Sequence, residues 1–89
     1  MLLALVLVAS GCAANKAFRQ GESSMRAGNL DEAVGAYRKA AQAEPDNATY
    51  KIALQRAMQA ASRAHIEKAH EFEKQDQLEA ALGEYKAAS

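Results

Sequence analysis

Residues 27–47 read AGNLDEAVGAYRKAAQAEPDN, and this stretch decides the fold of the 89-residue chain. Gly28 ends one helical pattern, because glycine readily adopts the left-handed conformation that follows a helix. Asn29 suits the N-cap of a second helix, and Glu32 has the spacing that completes a capping box. The apolar and small side chains that follow share one helical face: Leu30, Ala33, Val34, Tyr37, Ala40 and Ala41. The stretch predicts a helix over about residues 30–43.

The flanking segments are also predicted to be helical. Upstream, the pattern predicts a helix over about residues 15–27. Downstream, Pro45 disfavours the helical conformation of the residue before it, and Asp46 or Asn47 can cap a third helix. Residues 49–74 contain neither Gly nor Pro and therefore predict one long helix, with two helices as the alternative if the chain breaks near Ser62. One apolar seam follows this segment: Tyr50, Leu54, Met58, Ala61, His65, Ala69 and Phe72.

A fourth helix is predicted because the end of the chain repeats the second helix at an offset of 48 residues (78 − 30). Leu78, Ala81, Leu82, Gly83 and Tyr85 match Leu30, Ala33, Val34, Gly35 and Tyr37. The whole pattern predicts an all-α fold.

Residues 14–47 resemble a tetratricopeptide repeat, a helix-turn-helix unit of about 34 residues. The matching positions are Gly21, Gly28, Ala33, Tyr37, Ala40, Pro45 and Asn47. Gly21 is the position at which the repeat needs a small residue for close helix approach. The resemblance implies antiparallel helical hairpins with one long third helix. Residues 15–47 would form one repeat, and residues 48–89 the long helix plus a truncated second repeat, as in a fragment of a larger protein.

The family resemblance also implies a binding surface. In tetratricopeptide repeats the first helix lines a concave groove that binds peptides or helices. By position the groove residues here are Asn15, Phe18, Glu22, Met25 and Arg26. A large apolar side chain on a helix is more often buried than used for binding. Because Gln20, Gly21 and Ser24 would occupy the core side of this helix, the core and the groove remain equal alternatives for Phe18 and Met25.

The N-terminus is an apolar run, residues 2–8, followed by Ala9-Ser10-Gly11-Cys12. This arrangement resembles a bacterial lipoprotein signal peptide, with residues 1–11 removed, Cys12 lipidated and residues 12–14 as a lipid-anchored tether. The run is too short to span a bilayer. The resemblance implies an outer-membrane lipoprotein facing the periplasm, because Ala13 rather than Asp follows the cysteine. A buried strand or helix with an incidental cysteine is the alternative.

Composition and spacing argue against other functions. Eleven basic and eleven acidic residues give no net charge, which disfavours nucleic acid as a partner. His65 and His70 are five residues apart and cannot share a metal on one helix face. Glu67 and Glu71 are expected on a solvated face beside lysines. We therefore expect no enzyme activity, no cofactor, no metal and no small-molecule substrate.

Two functions follow from these features. The first is a lipid-anchored scaffold for a protein partner, resembling the N-terminal repeat region of the secretins of type II secretion and type IV pilus systems. The alternative is an adaptor segment of a larger envelope enzyme whose catalytic domain lies beyond residue 89.

We predict that the mature chain begins at an acylated Cys12, because small residues after a short apolar run suit cleavage and the thiol suits lipid transfer. Intact-mass analysis of membrane-extracted protein should show loss of residues 1–11 and added acyl chains. A retained Met1, or an unmodified Cys12, would contradict this prediction.

Overall fold

The computed structural model describes the backbone of residues 2–89 and the side chains of residues 11–89, and the elements it describes are four α-helices. They are α1 (Leu2–Ala27), α2 (Leu30–Ala43), α3 (Ala48–Lys74) and α4 (Leu78–Ala88). The predicted all-α class and the bounds of α2 are confirmed. The alternative break near Ser62 is wrong, because α3 continues through that residue.

The start of α1 differs from the sequence prediction. The helix begins at Leu2 rather than near residue 15, so residues 12–14, predicted to be a tether, lie inside it. Ala13 and Ala14 are strong helix formers, and Ala14 is fully buried in a cluster with Ala17, Ala40 and Tyr50. The signal-peptide assignment stays a prediction, and residues 1–10 lie outside the side chains that the structure describes.

Two of the predicted helix ends form as expected. Gly28 has a φ of +82°, and the Asn29 amide donates a hydrogen bond to the Ser24 carbonyl at 2.9 Å, which closes the end of α1. Asn47 caps α3, because its Oδ1 accepts a hydrogen bond from the Tyr50 amide at 3.1 Å. Residues 44–47 therefore form the turn that the proline predicted.

The predicted capping box of α2 is wrong. Asn29 stands at the N-cap position, but its side chain forms no capping hydrogen bond. Its ψ of 74° departs from the extended backbone from which an N-cap side chain reaches the first free amides. The acidic residues of the first turn, Asp31 and Glu32, still favour the positive end of the helix dipole.

The chain divides into two compact units, Met1–Met58 and Gln59–Ser89. In the first unit, α1, α2 and the start of α3 enclose a core of small residues and aromatic rings. Its two buried clusters are Ala14, Ala17, Ala40 and Tyr50, and Ala33, Tyr37 and Ala57. Phe18 contacts both clusters, with its ring centroid 5.5 Å from that of Tyr37 and 4.9 Å from that of Tyr50.

Gly21 is a point of close contact between α1 and α2. A Cβ atom built on Gly21 would lie 2.6 Å from both Cδ1 and Cε1 of Tyr37, well inside van der Waals contact. The Tyr37 ring is buried against this glycine, with 6% of the residue exposed. The prediction that Gly21 permits close helix approach is confirmed.

The second unit contains the rest of α3 and all of α4, and its turn reproduces the turn between α1 and α2. The Gln77 amide donates to the Phe72 carbonyl at 2.9 Å, and Asp76 has a φ of +57°. Each of these residues lies 48 positions after its counterpart in the first turn (72 − 24, 76 − 28). The sequence repeat is therefore also a repeat of backbone geometry.

Polar contacts attach α4 to α3 within the second unit. His65 Nδ1 lies 2.6 Å from Glu84 Oε2, and the Ser62 hydroxyl donates to the Ala88 carbonyl at 3.0 Å. The buried apolar residues of this unit are alanines: Ala61, Ala69 and Ala81. Small side chains bury little apolar surface, so hydrogen bonds make up a larger share of this attachment than in the first unit.

We predict that Gly21→Ala destabilises the chain while Gly35→Ala does not. The added methyl group at position 21 must displace the Tyr37 ring, and such overpacking costs about 1–3 kcal/mol, against a gain of about 1 kcal/mol in helix propensity. Gly35 is a matched control, because a Cβ there meets open space. Urea unfolding followed by circular dichroism should show a lower midpoint for Gly21→Ala only. An equal rise in the urea midpoint for both substitutions would contradict the close approach of the Tyr37 ring to Gly21.

Candidate functional site

An open cleft of about 360 Å³ lies on the first unit, between α1 and the start of α3. Its lining residues are Phe18, Glu22, Met25, Tyr37, Thr49, Ile52, Ala53 and Arg56. Most of this lining is apolar, and it includes one acidic and one basic side chain. The cleft therefore offers apolar contact together with two opposite charges.

Three of the five predicted groove residues lie together in this cleft: Phe18, Glu22 and Met25. Asn15 instead lines a shallow hollow along the outer face of α1, which it shares with Cys12 and Lys16. Arg26 is exposed and is not part of the lining of either. The structure thus brings Phe18, Glu22 and Met25 together in the cleft and leaves Asn15 and Arg26 outside its lining.

Phe18 and Met25 belong to both the core and the cleft. Both are half-buried and pack against the cluster that contains Tyr37. Their remaining surface faces the cleft. Phe18 and Met25 are therefore both core residues and groove residues, because one edge of each side chain supports the fold and the other stays open to solvent.

Sequence reasoning missed the wall that α3 contributes. Ile52 and Arg56 lie one helical turn apart on α3, away from the predicted apolar seam, and both line the cleft. Ile52 is 53% exposed. The sequence contained one signal for this wall, because Ile52 is a large apolar residue that lies outside the apolar seam of its own helix.

The seam itself is largely confirmed. Tyr50, Ala61 and Ala69 are buried, and Leu54, His65 and Phe72 are half-buried. Met58 is the exception at 41% exposed, because Ala57 takes the buried position in the first unit. Gln20, expected on the core side of α1, is exposed and lines the shallow hollow.

Tyr37 contributes a hydroxyl to the lining of the cleft. Burial raises the pKa of the Tyr37 hydroxyl, the Glu22 carboxylate raises that pKa further, and the Arg26 guanidinium opposes the shift. Tyr37 is therefore neutral at physiological pH. Its hydroxyl can serve as a hydrogen-bond donor or acceptor beside the apolar lining.

The two histidines both contact side chains of the second unit. His70 is exposed and meets the edge of the Tyr85 ring, with centroids 6.0 Å apart, whereas His65 is occupied by Glu84. Glu67 and Glu71 are exposed, as predicted. In the part of the chain that the structure describes, no three His, Cys, Asp or Glu side chains are grouped to hold a metal ion.

No protein-family model, curated protein or solved structure matches the chain. Among the described residues, no helix has the length and apolar character needed to cross a membrane.

We predict that Phe18→Ala lowers the free energy of unfolding by about 2 kcal/mol, less than the 3–5 kcal/mol of a fully buried phenylalanine, because part of the side chain already meets solvent. Ile52→Ala, in the opposite wall, should change the free energy of unfolding by no more than about 0.5 kcal/mol, as substitutions at other exposed sites do. Urea unfolding of both variants measures the difference. Equal losses would show that Phe18 does not support the core.

Proposed function

We propose that this chain is an envelope-anchored scaffold of the tetratricopeptide type, which binds a peptide or helix of a protein partner in the cleft. A lipid on Cys12 would attach it to the membrane. By the resemblance to secretin N-terminal regions, the proposed setting is a secretion or pilus assembly at the outer membrane, on its periplasmic side.

Two features support the repeat assignment. Gly21 lies against the Tyr37 ring, and the turns at Gly28 and Asp76 have the same hydrogen bonds 48 residues apart. An offset of 48 equals one 34-residue repeat plus 14 residues, or about four helical turns. An insertion of that length extends α3 while nearly preserving which of its faces meets α4.

The open apolar lining of the cleft supports the binding role. Ile52 is more than half exposed, and Phe18 and Met25 present their free edges beside it. Apolar side chains at a cleft with charges at its margin are typical of surfaces that take the apolar face of a helix or an extended peptide. Glu22 and Arg56 would select the orientation of a partner with opposite charges.

A site-specific cross-linking experiment tests the binding role. A photoreactive phenylalanine analogue at position 52 should give a discrete adduct in the envelope of cells that produce the chain. Arg56→Glu should remove that adduct, because it reverses the charge at the cleft. Lys51→Glu is the matched control, since Lys51 is exposed, adjacent and outside the cleft lining.

The outcomes are distinct. An adduct that depends on Arg56 and persists in Lys51→Glu supports a partner in the cleft. An adduct that is equally strong in both charge variants, or no adduct at all, would contradict the proposed function. Lys39 is exposed and lies outside the cleft lining. A sharp adduct from the same analogue at position 39 would indicate that the partner binds a different surface.

A further inference from the structure

The outward face of α1 carries a line of basic side chains that begins at Cys12. Lys16, Arg19, Ser23 and Arg26 follow Cys12 at alternating steps of four and three residues, which place all five on one side of a helix. All five residues are exposed. We call them the basic stripe.

The basic stripe lies opposite the buried side of α1. Ala14, Ala17 and Gly21 are buried within the first unit, and they lie about half a helical turn away from the stripe. The edge of α1 that lines the cleft, with Phe18 and Met25, lies between these two sides. The stripe is therefore part of neither the core nor the cleft.

A shallow hollow of about 490 Å³ follows the first part of the stripe. Its lining residues are Cys12, Asn15, Lys16, Arg19, Gln20 and Ser23. This described lining contains an ammonium group, a guanidinium group, two amides and a hydroxyl, and no carboxylate. Such groups donate hydrogen bonds and two of them carry positive charge, which is the chemistry that binds phosphate oxygens.

The positive charge of the stripe is local, because the whole chain has eleven basic and eleven acidic residues. Glu22 is the acidic residue of α1, and its side chain lines the cleft instead. Exposed charges more than about 10 Å apart are largely screened at ordinary salt concentrations. Acidic residues on other faces of the chain therefore do little to cancel the attraction of the stripe for an anionic surface beside it.

The position of the stripe favours a phospholipid surface as its occupant. The stripe begins at Cys12, the residue at which the proposed lipid would enter the bilayer. An anchor at that point holds the basic side chains beside the headgroups at a high effective concentration. Basic residues close to a membrane are attracted to anionic headgroups. Because the anchor already supplies attachment, the charges of the stripe need only orient the helix.

We propose that the basic stripe lies on an anionic phospholipid surface, with α1 parallel to the membrane and the core of the first unit on the side away from it. Lys16, Arg19 and Arg26 would contact headgroup phosphates. The cleft would then open alongside the membrane. This inference rests on the proposed function, which supplies the membrane and the anchor at Cys12.

Partition into vesicles of two compositions tests the proposal on the full, unacylated chain. Vesicles of phosphatidylcholine alone measure the attachment that needs no anionic headgroups, and an equimolar mixture with phosphatidylglycerol adds those headgroups. The ratio of the two partition coefficients isolates the part that depends on charge. We expect the natural chain to prefer the anionic vesicles, and high salt to remove that preference. Acylation of Cys12 is measured separately by intact mass, so failure of the anchor and failure of the stripe are distinguishable.

Two double variants with the same change in net charge locate the surface. Lys16→Gln with Arg19→Gln should lower the ratio about tenfold or more, because each basic residue close to an anionic surface contributes about fivefold. Arg38→Gln with Lys39→Gln is the matched control and should leave the ratio nearly unchanged, since both residues are exposed on α2 and outside the stripe. Circular dichroism should show equal helicity for both, because glutamine is a comparable helix former.

Three results would overturn the proposal. A natural chain without preference for the anionic vesicles would show that the stripe does not bind such a surface. An equal fall of the ratio in both double variants would show that net charge, rather than the stripe, governs the partition. A photoreactive analogue at position 23 that cross-links a protein rather than lipid in the envelope would assign the stripe to an acidic protein partner.

Discussion

The contact between Gly21 and the Tyr37 ring is the constraint on which the first unit depends. Because position 21 has no Cβ, the ring can lie directly on the backbone of α1. This close approach brings Phe18 to within stacking distance of both Tyr37 and Tyr50. Three aromatic rings then hold three helices together in a core whose other members are mostly alanines. The cleft exists at the edge of this arrangement, where Phe18 and Met25 are only half covered.

The second unit shows what happens when that constraint changes. Ala69 occupies the position that corresponds to Gly21, 48 residues later, and Ala69 is fully buried. Tyr85, the counterpart of Tyr37, is half-buried and bonds to Glu73 through its hydroxyl. The second unit thus has no glycine at this position and includes polar contacts such as that between His65 and Glu84.

The helices could be read from the sequence because their ends are marked by residues with strong conformational preferences. Gly28 and Pro45 delimit α2, and the absence of such residues over 49–74 indicated one long α3. The start of α1 was not predictable in this way, since Ala13 and Ala14 neither stop nor start a helix. The capping box failed because it depends on a backbone angle at Asn29 that residue identity does not determine.

The site was only partly predictable, because periodicity describes one helix at a time. The family resemblance placed Phe18 and Met25 in one groove, and the structure keeps them together. Periodicity alone could not show that Ile52 and Arg56 of α3 form the opposite wall. That wall depends on how α3 packs beside α1. Leu78 and Leu82 of α4 match Leu30 and Val34 in the sequence repeat, yet they are exposed whereas their counterparts are half-buried. Which helix covers a face is a property of packing between segments.

The most direct test of this account is a nuclear Overhauser measurement between the α-protons of Gly21 and the ring protons of Tyr37. The account predicts strong cross-peaks, together with upfield shifts of the Gly21 α-protons, because the aromatic ring lies against the glycine backbone. Gly35, where a Cβ would meet open space, should show neither effect. Gly21 α-protons at ordinary helical shifts, without cross-peaks to Tyr37, would contradict the close approach and with it the proposed origin of the cleft.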